Sequence, residues 1–327
     1  MSPHQHNHTD HHEQCAPMTA HQNPYIDPVM AEILAGMPAP GEPLSVAEER
    51  RLMGEDSVAW NTPVPALAAV HELHIPAVEH TIPARLYQPG SGRALIVYLH
   101  GGGWVLGDLN THDRLMRLLA LESRANVLGV DYRLAPEHPF PAPLDDVLAA
   151  LRWLPELPAD LGVDTTRMAL AGDSAGANLA LAAMLAQRDA GLPLPRGAAL
   201  CYGCYRAGAD SPAHRDLGDG RFGLSSVRMH WFWAQYLGAR GVGHPYAEPL
   251  LADLHGLPPV FLNAAGLDCL LDDTRELATR LTAHGVPCEC RVYPGVIHGF
   301  LAMSNRLPMA GDAIREAAAA LAAMQAD

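Results

Sequence analysis

Apolar runs with strand character alternate with helical segments along most of the chain, and this order strongly limits its possible folds. The strand-like runs lie at 71–76, 84–88, 94–99, 127–130, 168–171, 198–202, 260–264 and 289–293. The helical segments between and after them lie at 111–123, 144–154, 175–188, 274–284 and 312–325. Such an order predicts an α/β fold with a mostly parallel, eight-stranded sheet and helices on both faces.

The motif GDSAG at residues 172–176 follows the fifth of these strands and opens a helix. It matches G-x-S-x-G in the strand–turn–helix setting that a nucleophile elbow requires. Because its glycines allow a sharp turn, we expect the Ser174 hydroxyl at the carboxyl edge of the sheet. The N-terminus of the next helix would favour negative charge developing there. An ordinary glycine-rich turn is the alternative interpretation.

The segment HGGGW at residues 100–104 directly follows the third strand. Glycines let backbone N–H groups come close to a substrate carbonyl, and we expect Gly101 and Gly102 to form an oxyanion hole with Ala175. A phosphate-binding glycine loop is the alternative, but the chain has no lysine and no accompanying G-x-G-x-x-G motif. We expect His100 to hold the loop by hydrogen bonds.

A serine hydroxyl needs a neighbouring base, and chain order selects one among the 18 histidines. In folds with this elbow, the acid and then the histidine follow the serine. His298 lies just after the last predicted strand, and Asp268 lies just after the strand at 260–264. Asp272 and Asp273 precede a helix, and we interpret them as first-turn charges.

Together these motifs resemble those of the bacterial hormone-sensitive-lipase-like esterases, from about residue 71 to residue 310. The resemblance includes DYRLAPE at 131–137, ANLA at 177–180 and HGF at 298–300. Two further segments, GDLNTHDR at 107–114 and PCE at 287–289, are similar to the acetyl esterase branch. One departure is Cys269, which stands where the family has a proline after its acid.

The resemblance implies an α/β-hydrolase fold and a serine carboxylesterase, with Ser174 as nucleophile, His298 as base and Asp268 as acid. Such an enzyme cleaves short-chain esters, acetyl to butyryl, through an acyl-enzyme intermediate and needs no metal or organic cofactor. A small-molecule ester is the implied partner. An amidase or a lactonase is an alternative, because the fold does not fix the leaving group.

A non-catalytic binding protein on the same scaffold is another alternative. The plant gibberellin receptor resembles these esterases and lacks the catalytic histidine. This chain keeps His298, which favours an enzyme.

The family also carries a helical cap, built from the N-terminal segment and from an insertion after the sixth strand. The resemblance implies that residues 24–60 and 205–247 cover the acyl pocket here. The second of these segments is much longer than an ordinary α/β connection. We expect Trp104, Trp231 and Trp233 to line the substrate pocket.

The charge and the composition exclude several classes of function. The formal net charge of −14 repels phosphate groups, so nucleic acid and anionic membranes are not expected partners. The absence of lysine excludes a lysine nucleophile, a Schiff base with pyridoxal phosphate and a P-loop. The sequence shows no signal-peptide pattern and no apolar run of about 20 residues, so we expect a cytoplasmic protein without a membrane span. It predicts no oligomeric state.

Residues 1–22 are polar and rich in histidine, and we expect them to form a disordered tail before a hydrolase domain at 23–327. The histidines concerned are His4, His6, His8, His11, His12 and His21. Weak binding of zinc, nickel or copper by this tail is the alternative interpretation.

Four of the six cysteines form two close pairs, with Cys201 and Cys204 in C-x-x-C and Cys288 and Cys290 in C-x-C. Their flanks are apolar and hold no clustered histidine. We expect buried or half-buried thiols, because cysteine is commonly buried, and a zinc site built from both pairs is the alternative.

Overall fold

Eight strands form one sheet within the described residues 24–37, 44–208 and 210–326 of this computed structural model. They are β1 (Ala69–Pro76), β2 (Thr81–Gln88), β3 (Ala94–Leu99), β4 (Asn126–Val130), β5 (Asp164–Asp173), β6 (Ala198–Cys201), β7 (Val260–Leu267) and β8 (Cys288–Ile297). Neighbouring strands follow the order β1-β2-β4-β3-β5-β6-β7-β8. β2 pairs antiparallel with β1 and β4, and every other pairing is parallel. The predicted α/β fold with a mostly parallel, eight-stranded sheet is confirmed.

Nine α-helices lie within the same described residues. They are α1 (Pro28–Gly36), α2 (Val46–Asn61), α3 (Asp113–Ser123), α4 (Ala142–Trp153), α5 (Ala175–Asp189), α6 (Pro212–Leu217), α7 (Ser226–Gly241), α8 (Leu271–Ala283) and α9 (Pro308–Met324). Each helix predicted from periodicity is present, with small shifts at its ends. None of the described helices has both the length and the apolar character that crossing a membrane demands.

The central strands divide their side chains between two apolar cores. Leu95, Val97 and Leu99 of β3 point into the core that α4, α5 and α8 cover. Ile96 and Tyr98 point into the opposite core, which α3 and α9 cover. This alternation follows from the two-residue period of a strand, and it explains why a strand buried on both faces is continuously apolar.

The two helices before the sheet pack differently. Met30 and Ile33 of α1 are buried in the same core as α3 and α9, whereas α2 has no buried residue. Within the predicted cap segment 24–60, α1 therefore packs its apolar side against the sheet. Of the two helices in this segment, α2 is the one that stays outside the core. Within the predicted cap segment 205–247, α6 and α7 form the regular structure.

Some predictions fall on residues outside the described part of the chain. These residues are the histidine-rich segment 1–22 with Asn23, residues 38–43 in the first cap segment, Ala209 in the second, and Asp327.

Candidate active site

The turn between β5 and α5 holds Ser174 in an unusual backbone conformation. Its φ is 53° and its ψ is −117°, a region that costs a non-glycine residue energy and that recurs at functional sites. The turn is possible because Gly176 has no side chain, since a Cβ there would overlap the carbonyl oxygen of Leu99. Ser174 is thus placed at the carboxyl edge of the sheet, as GDSAG predicted.

Ser174, His298 and Asp268 come together in the structure. Nε2 of His298 lies 2.9 Å from Oγ of Ser174, and Nδ1 of His298 lies 2.7 Å from Oδ2 of Asp268. Burial opposes protonation of His298, but the charge and the hydrogen bond of Asp268 outweigh it, so the pKa of His298 is raised. This arrangement can transfer a proton from the serine hydroxyl to a histidine that a buried carboxylate orients.

The strands β7 and β8 explain how the acid and the base meet. β7 ends at Leu267 and β8 ends at Ile297, so Asp268 and His298 are each the next residue at the same edge of the sheet. Oδ1 of Asp268 accepts a hydrogen bond of 2.9 Å from the backbone N–H of Leu270. This bond closes the turn without the family's proline, in whose place Cys269 is fully buried.

The glycine loop after β3 corrects one expectation about the oxyanion hole. The backbone N–H of Gly101 donates a hydrogen bond of 2.9 Å to Oδ1 of Asp173, so it is not available to a substrate. Within the described residues, the N–H groups of Gly102, Gly103 and Ala175 donate no hydrogen bond. Gly102 and Gly103 also line the cavity in front of Ser174. The geometry therefore favours Gly103 in place of Gly101.

A cavity of about 520 Å³ lies in front of Ser174 and His298. Its walls come from α2, from α7 and from the residues after His298, and most of the wall surface is apolar. Prominent among them are Leu52, Met53, Trp60, Met229, Phe232 and Met303. The two segments predicted as cap thus each contribute a helix, α2 and α7, to the walls of the cavity.

The three tryptophans predicted for the pocket do not line this cavity. Trp104 is fully buried and stacks on Tyr236 with ring centroids 4.1 Å apart, and Trp233 packs against the same indole at 4.5 Å. The guanidinium carbon of Arg228 lies over the ring of Trp231, 4.2 Å from the centroid of that ring. A helix turns by about 100° per residue, so Trp231 and Trp233 of α7 face away from the cavity when Phe232 faces it.

The sequence reasoning missed Met229 and Phe232, although α7 carried a signal for them. These two residues are three positions apart, which places them on one face of a helix. Only the register of that face relative to the sheet decides which aromatic side chains of α7 reach the cavity.

One group of potential metal ligands lies elsewhere in the described chain. Asp253, His255 and His284 bring one ligand atom each to within 4.8 Å of one another. They belong to the loop that leads into β7 and to the end of α8, so they lie toward the amino ends of the strands and away from Ser174. Hydrogen bonding accounts for this cluster, because Oδ1 of Asp253 lies 2.7 Å from Nδ1 of His255 and 3.1 Å from Nδ1 of His284.

The two cysteine pairs agree with the prediction of buried or half-buried thiols. Cys201 and Cys204 are buried, and Cys288 and Cys290 are half-buried. No described cysteine belongs to the group of clustered metal ligands. The alternative zinc site therefore gains no support from the geometry.

The chain matches one family of known proteins and is similar to several solved esterase structures. Residues 96–302 match a family described by the alpha/beta hydrolase fold. A hyperthermophilic esterase from the archaeon Pyrobaculum calidifontis is 34% identical, with a TM-score of 0.87, over 92% of this chain and 99% of that one. A thermostable esterase from Pseudomonas putida is 30% identical, with a TM-score of 0.87, over 94% and 100%. A thermostable carboxylesterase from a metagenomic library is 35% identical, with a TM-score of 0.84, over 87% and 99%.

Proposed function

Because this chain belongs to the family with the alpha/beta hydrolase fold, we propose that it is a serine carboxylesterase acting on small, uncharged, short-chain esters. The observation that carries the proposal is the position of His298, 2.9 Å from Oγ of Ser174 and 2.7 Å from Oδ2 of Asp268. The esterases among its structural relatives support the same activity. We further propose that the substrates are acetyl to butyryl esters, that the chain belongs to the acetyl esterase branch, and that the protein is cytoplasmic.

The first half of the reaction forms an acyl-enzyme. Nε2 of His298 accepts the hydroxyl proton while Oγ of Ser174 bonds to the ester carbonyl carbon, and the carbonyl oxygen becomes an oxyanion. The N–H groups of Gly102, Gly103 and Ala175 stabilise that oxyanion. The carbon–oxygen bond to the alcohol then breaks, and His298 returns the proton to the departing alcohol.

The second half releases the acid. Water gives a proton to His298 and attacks the acyl carbon, and the bond to Ser174 breaks as the proton returns to Oγ. Throughout, Asp268 accepts the hydrogen bond from Nδ1 of His298, so that Nε2 is free to act as base. It also stabilises the charged ring that forms in each half-reaction.

The cavity supports a small, neutral substrate. The side chain of Phe232 occupies the place that a Cβ on Gly103 would take, so it restricts the space beside the oxyanion loop. Beside Phe232, the guanidinium of Arg228 lies 4.4 Å from the centroid of that ring and forms an ion pair with Glu49, so these two charges are paired. The carboxylate of Asp56 also lines the cavity, so its wall carries a net negative charge. An apolar cavity of limited size with such a wall favours a short, uncharged ester over a long or anionic one.

Hydrolysis of nitrophenyl esters from acetate to laurate by the wild type and by Ser174→Ala tests the proposal. We expect cleavage that is fastest for the short esters and is lost in the variant. Intact mass spectrometry after a rapid acid quench should show an acylated wild type and an unmodified variant. Binding of esters without cleavage by the wild type would instead indicate a binding protein, and equal cleavage by both proteins would exclude Ser174 as nucleophile. Matched amides and lactones in the same assay distinguish an amidase or a lactonase.

A further inference from the structure

The residue before the nucleophile, Asp173, is a buried carboxylate that is only 5% exposed. Its Oδ1 atom accepts a hydrogen bond of 2.6 Å from the hydroxyl of Tyr98, on β3, and one of 2.9 Å from the N–H of Gly101. Asp173 therefore joins the turn that carries Ser174 to the strand and the loop that carry the oxyanion donors. The proposed reaction assigns no step to it.

The glycine loop is shaped around this carboxylate. A Cβ on Gly101 would overlap the carboxylate of Asp173, so only glycine lets the loop come this close to that side chain. The next residue, Gly102, has a φ of 118°, which turns the chain so that the following N–H groups face the cavity. The hydrogen bond at Gly101 is thus the fixed point from which the loop turns toward Ser174.

A second charged side chain balances Asp173. Nε2 of His112 lies 3.5 Å from Oδ1 of Asp173, and Nδ1 of His112 lies 2.9 Å from Oγ1 of Thr111. The Thr111 hydroxyl also lies 2.9 Å from the carbonyl oxygen of Asp108, to which it donates. A protonated His112 ring donates from both nitrogens and so satisfies both of its contacts.

The pKa values of both groups agree with this assignment. Burial works against both charges, but each group stabilises the other, so the pKa of Asp173 is lowered and that of His112 is raised. Because the pair is neutral as a whole, a carboxylate can stand beside the oxyanion hole without repelling the developing negative charge.

We infer that Asp173 is a positioning residue for the oxyanion hole, since it fixes Gly101 and thereby directs the N–H groups of Gly102 and Gly103 toward the carbonyl attacked by Ser174. This inference rests on the proposed esterase function. It predicts that the acceptor oxygen of Asp173 affects the transition state much more than it affects substrate binding.

The test compares Asp173→Ala, which removes the acceptor, with Asp173→Asn, which keeps an acceptor oxygen of similar position. We expect Asp173→Ala to lower kcat on nitrophenyl acetate about 100-fold or more, as the loss of an oxyanion donor does, with KM within about threefold of wild type. We expect Asp173→Asn to recover most of that loss. Should Asp173→Ala fail to fold, Asp173→Ser replaces it, because its hydroxyl is too short to reach Gly101.

The matched control is Asp146→Ala. Asp146 is another buried carboxylate and is 1% exposed. Its Oδ2 atom accepts a hydrogen bond of 2.9 Å from the backbone N–H of Arg133. It does not line the cavity. We expect Asp146→Ala to lower the Tm while kcat stays within about threefold of wild type, which separates a positioning effect from loss of stability.

A boronic acid supplies the independent readout, because its adduct with Ser174 places an oxygen in the oxyanion hole. Its Ki should rise for Asp173→Ala in proportion to the loss in kcat/KM. An active wild type whose folded Asp173→Ala variant keeps its kcat and its Ki would overturn the inference alone. The inference would also be overturned if Asp146→Ala lowered kcat as much as Asp173→Ala does. A wild type that cleaves no ester and binds no boronic acid would overturn the proposed function, and the inference with it.

Discussion

Nδ1 of His298 lies 2.7 Å from Oδ2 of Asp268, and this contact raises the pKa of His298 although burial of the ring opposes protonation. The proposed base acts only when neutral, so activity should fall as the pH drops through this raised pKa. The acidic limb of kcat/KM for the wild type should therefore lie above the ordinary histidine value of about 6.5.

Replacing Asp268 with asparagine removes the charge that raises the pKa of His298. The acidic limb of Asp268→Asn should move to lower pH. The value of kcat should fall by about 10⁴-fold, because an amide N–H that donates to Nδ1 leaves the proton on Nε2, the nitrogen that must act as base. Initial rates on nitrophenyl acetate between pH 4 and pH 9, at constant ionic strength, measure both effects. An acidic limb that stays in place would mean that another group controls the profile.

The proposed catalytic residues were predictable because each follows a parallel strand. Ser174, Asp268 and His298 come directly after β5, β7 and β8, and the carboxyl ends of parallel strands meet at one edge of a sheet. Chain order then assigned the roles without any knowledge of distances.

The oxyanion donors could not be predicted from the same kind of signal. Three consecutive glycines carry no periodicity that distinguishes one N–H from the next. The distinction comes from Asp173, 72 residues from Gly101, whose carboxylate takes the first N–H. The prediction that three tryptophans line the pocket was wrong for a related reason. Trp104 packs in a buried aromatic cluster with Trp233 and Tyr236 of α7, and this packing determines which face of α7 points to the cavity.

Phe232 is expected to limit the size of the ester. Its ring lines the cavity and fills the space in front of Gly103, so Phe232→Ala should open room beside the oxyanion loop. The ratio of kcat/KM for nitrophenyl octanoate to that for the acetate should rise about tenfold, in line with about 1–3 kcal/mol for added apolar contacts. The control is Val227→Ala on the same helix, where Val227 is 79% exposed. An unchanged ratio in Phe232→Ala would place the acyl chain elsewhere.

The ion pair between Glu49 of α2 and Arg228 of α7 is expected to leave neither of these two charges unpaired in the cavity wall. Removing either partner leaves a single charge that holds water where an apolar substrate must bind, so Glu49→Gln and Arg228→Met should each raise KM. The double variant should recover much of the loss, with a coupling energy of about 0.5–3 kcal/mol from a double-mutant cycle. The exposed pair Glu48 and Arg51, also on α2, offers a control whose removal should leave KM unchanged. Additive effects of the two cavity substitutions would contradict this account.

The buried thiols are expected to be unreactive in the folded protein. Cys201, Cys204 and Cys269 are buried, and burial raises the pKa of each thiol, so almost no thiolate is present at neutral pH. Among the cysteines that the structure describes, iodoacetamide labelling followed by peptide mass spectrometry should modify Cys288 and Cys290 first, because both are half-buried. The three buried thiols should react only after guanidinium unfolding. Rapid labelling of Cys204 in the native protein would show that this core opens.

Asn178 is expected to stabilise the base of the second cap segment. Its Nδ2 donates to the carbonyl oxygens of Cys204 and Ala247, at 2.9 Å and 3.0 Å, and these two residues stand at the beginning and end of that segment. Asn178 is fully buried, so Asn178→Ala leaves two carbonyls without a partner and without water. The free energy of unfolding should fall by about 1–3 kcal/mol for each carbonyl, and Asn178→Asp should cost more because it sets a carboxylate against them.

Asn305 is the matched control for that measurement. Its Nδ2 also donates to two carbonyl oxygens, those of Ala59 and Thr62, each at 2.8 Å, but the residue is half-exposed. Water can replace the lost donor there, so Asn305→Ala should cost less than about 1 kcal/mol in urea unfolding. If the two alanine variants lose equal stability, burial is not what makes Asn178 important, and the second cap segment is held in place by its other contacts.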